Sequence, residues 1–310
     1  MITQGTVSIL LGTYNGEKYI GRQLESIRSQ TYKNWVLYIS DDGSSDDTLK
    51  IAKEFAAEFP DGKVNLLDGP RKGFAQNFLS MLQNKDIHSE FYAFSDQDDV
   101  WLDDKLEASL NALYSKENEN SYLLYGSRTT LIDENEKPIG FSPLFKRKFC
   151  LENALVQSYA GGNTMVMNHN VKDFIENIKV DFDIVSHDWF LYILCSALNG
   201  MIIYDSNSKI LYRQHGGNLV GSNLGISSKL YRLKKIYSGE YKKWNELNLY
   251  FLDLIKKDVC NKNKRIIGLF YKKERFWFQR ALNVVRSGIF RQKKYETLFF
   301  IIMAMLGKLN

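Results

Sequence analysis

Three carboxylates stand within four positions in FSDQDDVW (residues 94–101): Asp96, Asp98 and Asp99. They follow directly on the apolar run Phe91, Tyr92, Ala93 and Phe94. Like charges this close repel one another by something on the order of a few kcal/mol at the effective dielectric of a protein surface. A divalent cation would offset that repulsion. Mg²⁺ and Mn²⁺ prefer oxygen ligands, and Mg²⁺ is commonly held by one or two carboxylates, with diphosphate and water completing the shell. Such a cation neutralises a diphosphate and stabilises it as a leaving group. The structural alternative is a solvated acidic turn capping a helix that begins at Leu102.

Two earlier stretches have matching chemistry. GTYNGEKYI (residues 12–20) offers Thr13, Tyr14, Asn15 and Glu17 to a ligand, and SDDGSSDDT (residues 40–48) pairs Asp41 with Asp42. A carboxylate there can accept hydrogen bonds from a ribose hydroxyl or a pyrimidine imide, whereas a helix cap needs only one of the two. Asp46 and Asp47 read as caps of the following helix. Neither GxGxxG nor GxxxxGK[ST] occurs in these stretches, which removes the main support for a dehydrogenase or P-loop enzyme. Downstream, GGNTMVMN, SHDW and YRQHGGNLVG combine glycines, histidines and an aspartate at the ends of irregular segments.

The elements that must position these residues follow from periodicity. Strands are predicted at residues 6–12, 35–40, 64–67, 91–95 and 122–132, and helices at 19–30, 48–59, 73–84 and 102–115. This alternation predicts an α/β fold with a mostly parallel sheet flanked by helices. In such sheets ligands bind at the carboxyl ends of the strands, where all three acidic or glycine-bearing turns fall. Residues 140–225 are less regular, and only helices and connectors are predicted beyond residue 226.

Charge divides the chain. Residues 1–225 hold 21 Lys and Arg against 30 Asp and Glu, whereas residues 226–310 hold 20 against 6. The basic tail is also aromatic, as in LFYKKERFWFQRAL, a pattern suited to helices lying on an anionic membrane surface. A basic helical region packed on the body is the alternative. Nucleic-acid binding is a third reading, disfavoured because no recognisable nucleic-acid module accompanies the charge. Three cysteines without CxxC spacing argue against a disulfide framework or zinc site and for a reducing setting. Neither a signal-peptide pattern nor an apolar run of spanning length is seen.

The ordered set LGTYNGEKYI, DDGSSDDT and SDQDDVW resembles family 2 glycosyltransferases, inverting enzymes that bind nucleotide-diphosphate sugars on a GT-A-like α/β fold. GGNTMVMN, SHDW and YRQHGGNLVG resemble the subgroup that includes rhamnosyltransferases of bacterial cell-wall and capsule polysaccharides. The resemblance covers residues 6–225, which would form the catalytic domain, with residues 226–310 as a C-terminal region serving membrane or partner association.

The resemblance implies roles residue by residue. Its DxD motif falls on Asp96, Gln97 and Asp98, with Asp98 the direct ligand of Mg²⁺ or Mn²⁺, Asp96 acting through ribose or water, and Asp99 near the sugar. Asp42 would recognise the base, beside Asp41. Thr13, Tyr14, Asn15 and Glu17 would line the nucleoside pocket, and Lys72 would lie near the nucleotide. Asp188 would be the base that deprotonates the acceptor, with His187 and Trp189 contacting acceptor. Gly161 and Gly162 would let backbone approach the donor sugar, with Asn163 as a polar contact. His215 would complete the metal shell or meet a phosphate, supported by Arg213 and Gln214. The implied donor is dTDP-rhamnose, with a UDP-hexose or UDP-N-acetylhexosamine as alternative. The implied acceptor is a lipid-linked saccharide at the inner face of the cell membrane. A non-catalytic nucleotide-sugar-binding subunit and a homo-oligomer remain open.

Overall fold

The computed structural model describes residues 5–116, 121–178, 182–215 and 239–309. Strands β1 (Val7–Thr13), β2 (Trp35–Asp41), β3 (Val64–Asp68) and β4 (Phe91–Asp96) alternate with helices α1 (Ile20–Arg28), α2 (Thr48–Ala56) and α3 (Phe74–Gln83). After β4 come β5 (Val100–Trp101), α4 (Lys105–Tyr114), β6 (Leu123–Ser127), β7 (Thr130–Ile132) and β8 (Pro138–Phe141). Then follow α5 (Leu151–Ala154), β9 (Val166–Asn168), α6 (His169–Asn177), α7 (His187–Ala197), β10 (Met201–Asp205) and β11 (Ile210–Arg213). The described C-terminal elements are α8 (Glu240–Leu254), α9 (Asn261–Phe270), α10 (Trp277–Ser287) and α11 (Lys294–Met305).

The main sheet has seven strands in the order β10-β6-β9-β4-β1-β2-β3. β1 pairs in parallel with β2 and β4, and β2 with β3, while β9 is antiparallel between β4 and β6. Strand alternation sorts the side chains between two cores. Val7, Ile9 and Leu11 point to the layer holding α1, α2 and α4, and Leu10 points to the opposite layer. α1 is helical for a matching reason: Ile20, Leu24 and Ile27 recur at the spacing that keeps one face on the sheet, and all three are buried.

Register does the positioning. Thr13 lies opposite Asp41, Asp41 opposite Asp68, and Gly12 opposite Asp96, so the β1, β2, β3 and β4 turns open on one edge. A second sheet, ordered β5-β11-β7-β8, stands beyond that edge. Its β11 pairs antiparallel with β5 and parallel with β7, delivering residues 213–215 to the acidic cluster.

Two sequence expectations change here. The single strand predicted at 122–132 is two strands in different sheets. The chain turns at Arg128 and Thr129, whose amides donate to the Asp205 carbonyl (2.9 Å) and Ser142 Oγ (2.9 Å). A polar run, GSRTT (residues 126–130), separates the two apolar stretches at this break. The helix predicted from 102 begins at Lys105, because Val100 and Trp101 are taken by pairing with Leu211 and Ile210. The predicted boundary at 225 lies outside the described residues. The helices beyond it nonetheless share one core with the body: Trp189 meets Tyr241 (centroids 6.2 Å apart) and Phe190 meets Phe251 (4.5 Å).

Candidate active site

The β1–α1 and β2–α2 turns lock each other. Asp41 accepts from Thr13 Oγ1 (3.0 Å) and from the amides of Gly43 (3.0 Å) and Ser44 (2.8 Å). Asn15, in the left-handed region at φ 47°, donates its amide to Ser44 Oγ (2.9 Å) and accepts from the Ser45 amide through Oδ1 (2.9 Å). Glu17 accepts from the Asp47 amide (2.9 Å), while its own amide donates to Asp46 (3.1 Å). Asp46 accepts from the Thr48 amide (3.1 Å) at the start of α2 and so has its expected capping role; the Asp47 side chain makes no cap bond. The side chains of Asp41, Asn15 and Glu17 thus hold the two turns together, with Asn15 and Glu17 still exposed at this edge. Tyr14 stays 58 % exposed at the mouth.

Asp42 shapes the next turn. Its two oxygens accept from the amides of Arg71 (2.6 Å) and Gly73 (2.7 Å), which presents Lys72, exposed, on the same edge. Each oxygen keeps a further lone pair for a ligand.

Within the acidic cluster the side chains take separate jobs. Gln97 binds the Tyr14 backbone twice, accepting from its amide and donating to its carbonyl (both 2.9 Å). This clamp joins the β4 turn to the β1 turn and takes Gln97 away from ligand contact. Only glycine fits opposite it, since a Cβ at Gly16 would lie 2.1 Å from Gln97 Oε1. Asp99 is fully buried and accepts from Asn163 Nδ2 and from the Arg213 amide (3.3 Å). Burial, then Asp98 and Asp96, push its pKa well above the usual carboxylate range. Asp99 and Asn163 thus tie the glycine turn to the cluster, in place of the expected contacts with sugar.

Asp98 remains accessible and meets His215, with Nε2 2.8 Å from Oδ2. The His215 ring packs on Tyr19 (centroids 4.9 Å). Asp96 is raised to about 7 by burial, then by Asp98 and Asp188. That crowding of negative charge suits a cation. Among the described residues no three His, Cys, Asp or Glu side chains are grouped to hold a metal alone, so the expected Asp96, Asp98 and His215 set is not a preformed protein cage. Asp98 with His215, completed by diphosphate and water, fits Mg²⁺ or Mn²⁺.

Arg213 is not aimed at a phosphate. Its buried guanidinium donates to the carbonyls of Asp98 (Nε, 3.1 Å) and Glu134 (Nη1, 2.9 Å) and to Glu136 Oε1 (Nη2, 3.0 Å). Its plane lies over Tyr19, 4.8 Å from the ring centroid. Gln214 binds backbone, donating its amide to the Ile132 carbonyl (2.8 Å) and Nε2 to the Arg213 carbonyl (3.2 Å). Residues 216–221 of the same motif lie outside the described residues.

Asp188 sits in the first turn of α7, half-buried, accepting from Ser158 Oγ (3.2 Å). It is near enough to Asp96 for its charge to raise that pKa, so the expected base and the acidic cluster share one site. Its neighbours do not face acceptor. His187 is 4 % exposed, with its ring centroid 4.1 Å from that of Phe78 and 4.8 Å from that of Phe94. Both its ring nitrogens lack partners, and burial lowers its pKa to about 4 against the pull of Asp188. A Cβ at Gly162 would stand 2.0 Å from His187 Nε2, so this glycine admits the ring as well as any ligand. Trp189 is core: its Nε1 donates to the Ala154 carbonyl (2.6 Å).

Ser158, Tyr19, Glu136 and Lys105 escape the sequence reading. Lys105 is buried over Trp101, with Nζ 3.5 Å from the ring centroid and unpartnered. Burial lowers its pKa to about 7 against the attraction of Asp99. Tyr19 lies within GTYNGEKYI; the other three lie in no motif and reach the site through long-range packing.

The comparisons with known proteins agree with this geometry. The family model described as "Glycosyl transferase family 2" matches residues 8–173. "dTDP-rhamnosyl transferase RfbG" of Shigella flexneri is 32% identical over 247 residues, covering 75% of this chain and 81% of the relative. An Escherichia coli relative, "UDP-Glc:alpha-D-GlcNAc-diphosphoundecaprenol beta-1,3-glucosyltransferase WfgD", is 36% identical over 123 residues, 39% of this chain and 45% of that protein. Among solved structures, S. aureus TarS 1-349 in complex with UDP superposes with a TM-score of 0.55 at 15% identity, covering 98% of this chain and 89% of that one. The fold is thus that of the GT-A glycosyltransferases. The chain is a glycosyltransferase and belongs to glycosyl transferase family 2.

Proposed function

We propose that this enzyme transfers L-rhamnose from dTDP-rhamnose, with inversion, to a lipid-linked saccharide of a cell-wall, capsular or O-antigen polysaccharide. The observation that supports the mechanism is Asp188 lying near enough to Asp96 to raise its pKa, with Ser158 donating to one of the Asp188 oxygens. Asp188 takes the acceptor hydroxyl proton while that oxygen bonds to C1 of the sugar. The bond from C1 to the diphosphate breaks on the opposite face, and dTDP leaves with the electron pair. Asp98 and His215 would hold Mg²⁺ or Mn²⁺, which supplies charge neutralisation to the departing diphosphate. Asp42 and Tyr14 stand at the base and ribose end of the pocket.

The donor choice rests on the relative named as a dTDP-rhamnosyl transferase, matched over three-quarters of the chain. A UDP-hexose or UDP-N-acetylhexosamine is the second reading, favoured by the WfgD likeness over 39% of this chain. The basic C-terminal region would seat the enzyme peripherally on the anionic inner face of the membrane that carries the acceptor. No described helix is long and apolar enough to cross a membrane.

A donor screen tests the reading: dTDP-rhamnose against UDP-glucose, UDP-galactose and UDP-N-acetylglucosamine, with and without Mn²⁺. Turnover with dTDP-rhamnose only in the presence of metal is expected; preference for a UDP-sugar transfers the assignment to the second reading. Asp188→Asn should keep nucleotide binding and lose transfer by about 10²-fold or more. Retained turnover removes Asp188 as the base, and absence of turnover in the unaltered enzyme with every donor returns it to a binding subunit.

A further inference from the structure

A groove of about 250 Å³ opens between α8 and α9, and none of its lining residues belongs to the candidate active site. Leu252, Val259 and Ile267 form an apolar wall, and Lys256, Lys264 and Lys272 stand with Asp253 among the residues around it. Tyr271 also lines it; this residue is 8 % exposed, and its hydroxyl has no hydrogen-bond partner. Burial keeps that phenol protonated and able to donate. The α9 wall is left low at Gly268, where a Cβ would meet nothing within 4 Å.

Lys272 is ion-paired with Glu274 (2.7 Å). That leaves Lys256 and Lys264 with Asp253 beside an aliphatic wall, which suits an amphiphile with an anionic head for the two lysines and an alkyl chain for the wall. A sugar nucleotide would match the lysines but cover the aliphatic wall with polar groups. Lys272 then leads into Arg275 and three exposed rings, Phe276, Trp277 and Phe278. The groove is therefore continuous in sequence with a basic, aromatic surface of the kind that settles at a membrane interface.

We propose that this groove holds one anionic membrane phospholipid, its phosphate on Lys256 and Lys264 and the start of an acyl chain along Leu252, Val259 and Ile267. The site deepens the membrane reading given above and rests on it. Its role is to fix the enzyme at one orientation, where a layer of surface lysines alone would bind lipid without a register.

The test uses the full chain, titrated calorimetrically with monomeric dioctanoyl phosphatidylglycerol, dioctanoyl phosphatidylcholine and inorganic phosphate. Cosedimentation with phosphatidylglycerol vesicles runs alongside. Gly268→Trp projects a ring into the open wall, and Gly268→Ala serves as its control. Saturable binding of phosphatidylglycerol is expected in the unaltered and Gly268→Ala proteins, with phosphatidylcholine and phosphate about tenfold weaker or worse. Gly268→Trp and Lys256→Gln/Lys264→Gln should lose at least about tenfold in that affinity at an unchanged Tm. Should Gly268→Trp melt early, the lysine pair decides.

Undiminished phosphatidylglycerol binding in the decisive variant overturns the groove. Equal binding of phosphatidylcholine overturns the role of the lysines, and equal binding of phosphate reduces the site to an anion site. Vesicle binding without any saturable lipid titration refutes the groove alone. Failure of the unaltered chain to cosediment refutes the membrane reading itself.

Discussion

Arg213 is the most informative residue to remove, because the resemblance implies a ligand contact and the structure gives it an architectural role. Its side chain is 3% exposed, and among the described residues its guanidinium donates to the Asp98 carbonyl, the Glu134 carbonyl and the Glu136 carboxylate. Hydrogen bonds to charged groups contribute about 1.5–3 kcal/mol each before compensation, and breaking a buried ion pair costs about 3–5 kcal/mol. Two features reduce the total. Glu136 is 33% exposed and keeps Arg22 as a partner at 3.1 Å, so it is not stranded. The two freed carbonyls lie at the rim of a cleft and regain water. Arg213→Met, which retains the aliphatic stem over Tyr19, should therefore cost about 3 kcal/mol, a fall in Tm of roughly 5 °C for a chain of this size. The consequence for function is indirect: the Asp98 backbone loses its anchor, and metal-dependent nucleotide affinity falls with it. Calorimetric unfolding and Mn²⁺-dependent dTDP titration measure the two effects on one sample. An unchanged Tm together with lost nucleotide binding would refute the clamp and restore Arg213 as a phosphate contact.

His187→Phe replaces two unpartnered buried ring nitrogens by carbon, so stability at pH 7 should be unchanged or higher by about 1 kcal/mol, read by urea unfolding. A large loss of kcat in that variant would show that the imidazole meets a ligand. The folded pKa of about 4 lies below the ordinary 6.5, so the unfolded chain binds more protons between these values and stability falls as pH drops through that window. The loss is about 3 kcal/mol in full, and His187→Phe should flatten that part of the stability profile. Trp277→Ser/Phe278→Ser removes two rings that are 58% and 50% exposed, so Tm should hold while cosedimentation with anionic vesicles falls about tenfold or more. Unaltered vesicle binding would assign these rings to another partner.

The motif turns were legible because each carries its own chemistry at a strand end: glycine and polar residues after β1, paired aspartates after β2, three carboxylates after β4. Division of labour within them was not. Gln97 sits inside the DxD stretch yet binds the Tyr14 backbone, and Trp189 adjoins the candidate base yet packs against α8. Neighbours in sequence at a turn can point in unrelated directions, and residue type does not say which. The break between β6 and β7 carries only the polar run GSRTT (residues 126–130) as a local mark, and distant partners decide which sheet each half joins.

By itself the sequence determined what is local and periodic: the alternation of strands and helices, the placement of acidic turns at strand ends, and the division between an acidic body and a basic, aromatic tail. Only the tertiary structure decided which carboxylates stay available. Asp98 meets His215, more than a hundred residues away just after β11, Asp99 is buried by Asn163 and Arg213, and Asp188 comes near enough to Asp96 to raise its pKa. Those outcomes depend on desolvation and on partners brought from distant elements, and both are properties of packing that no single stretch of chain contains.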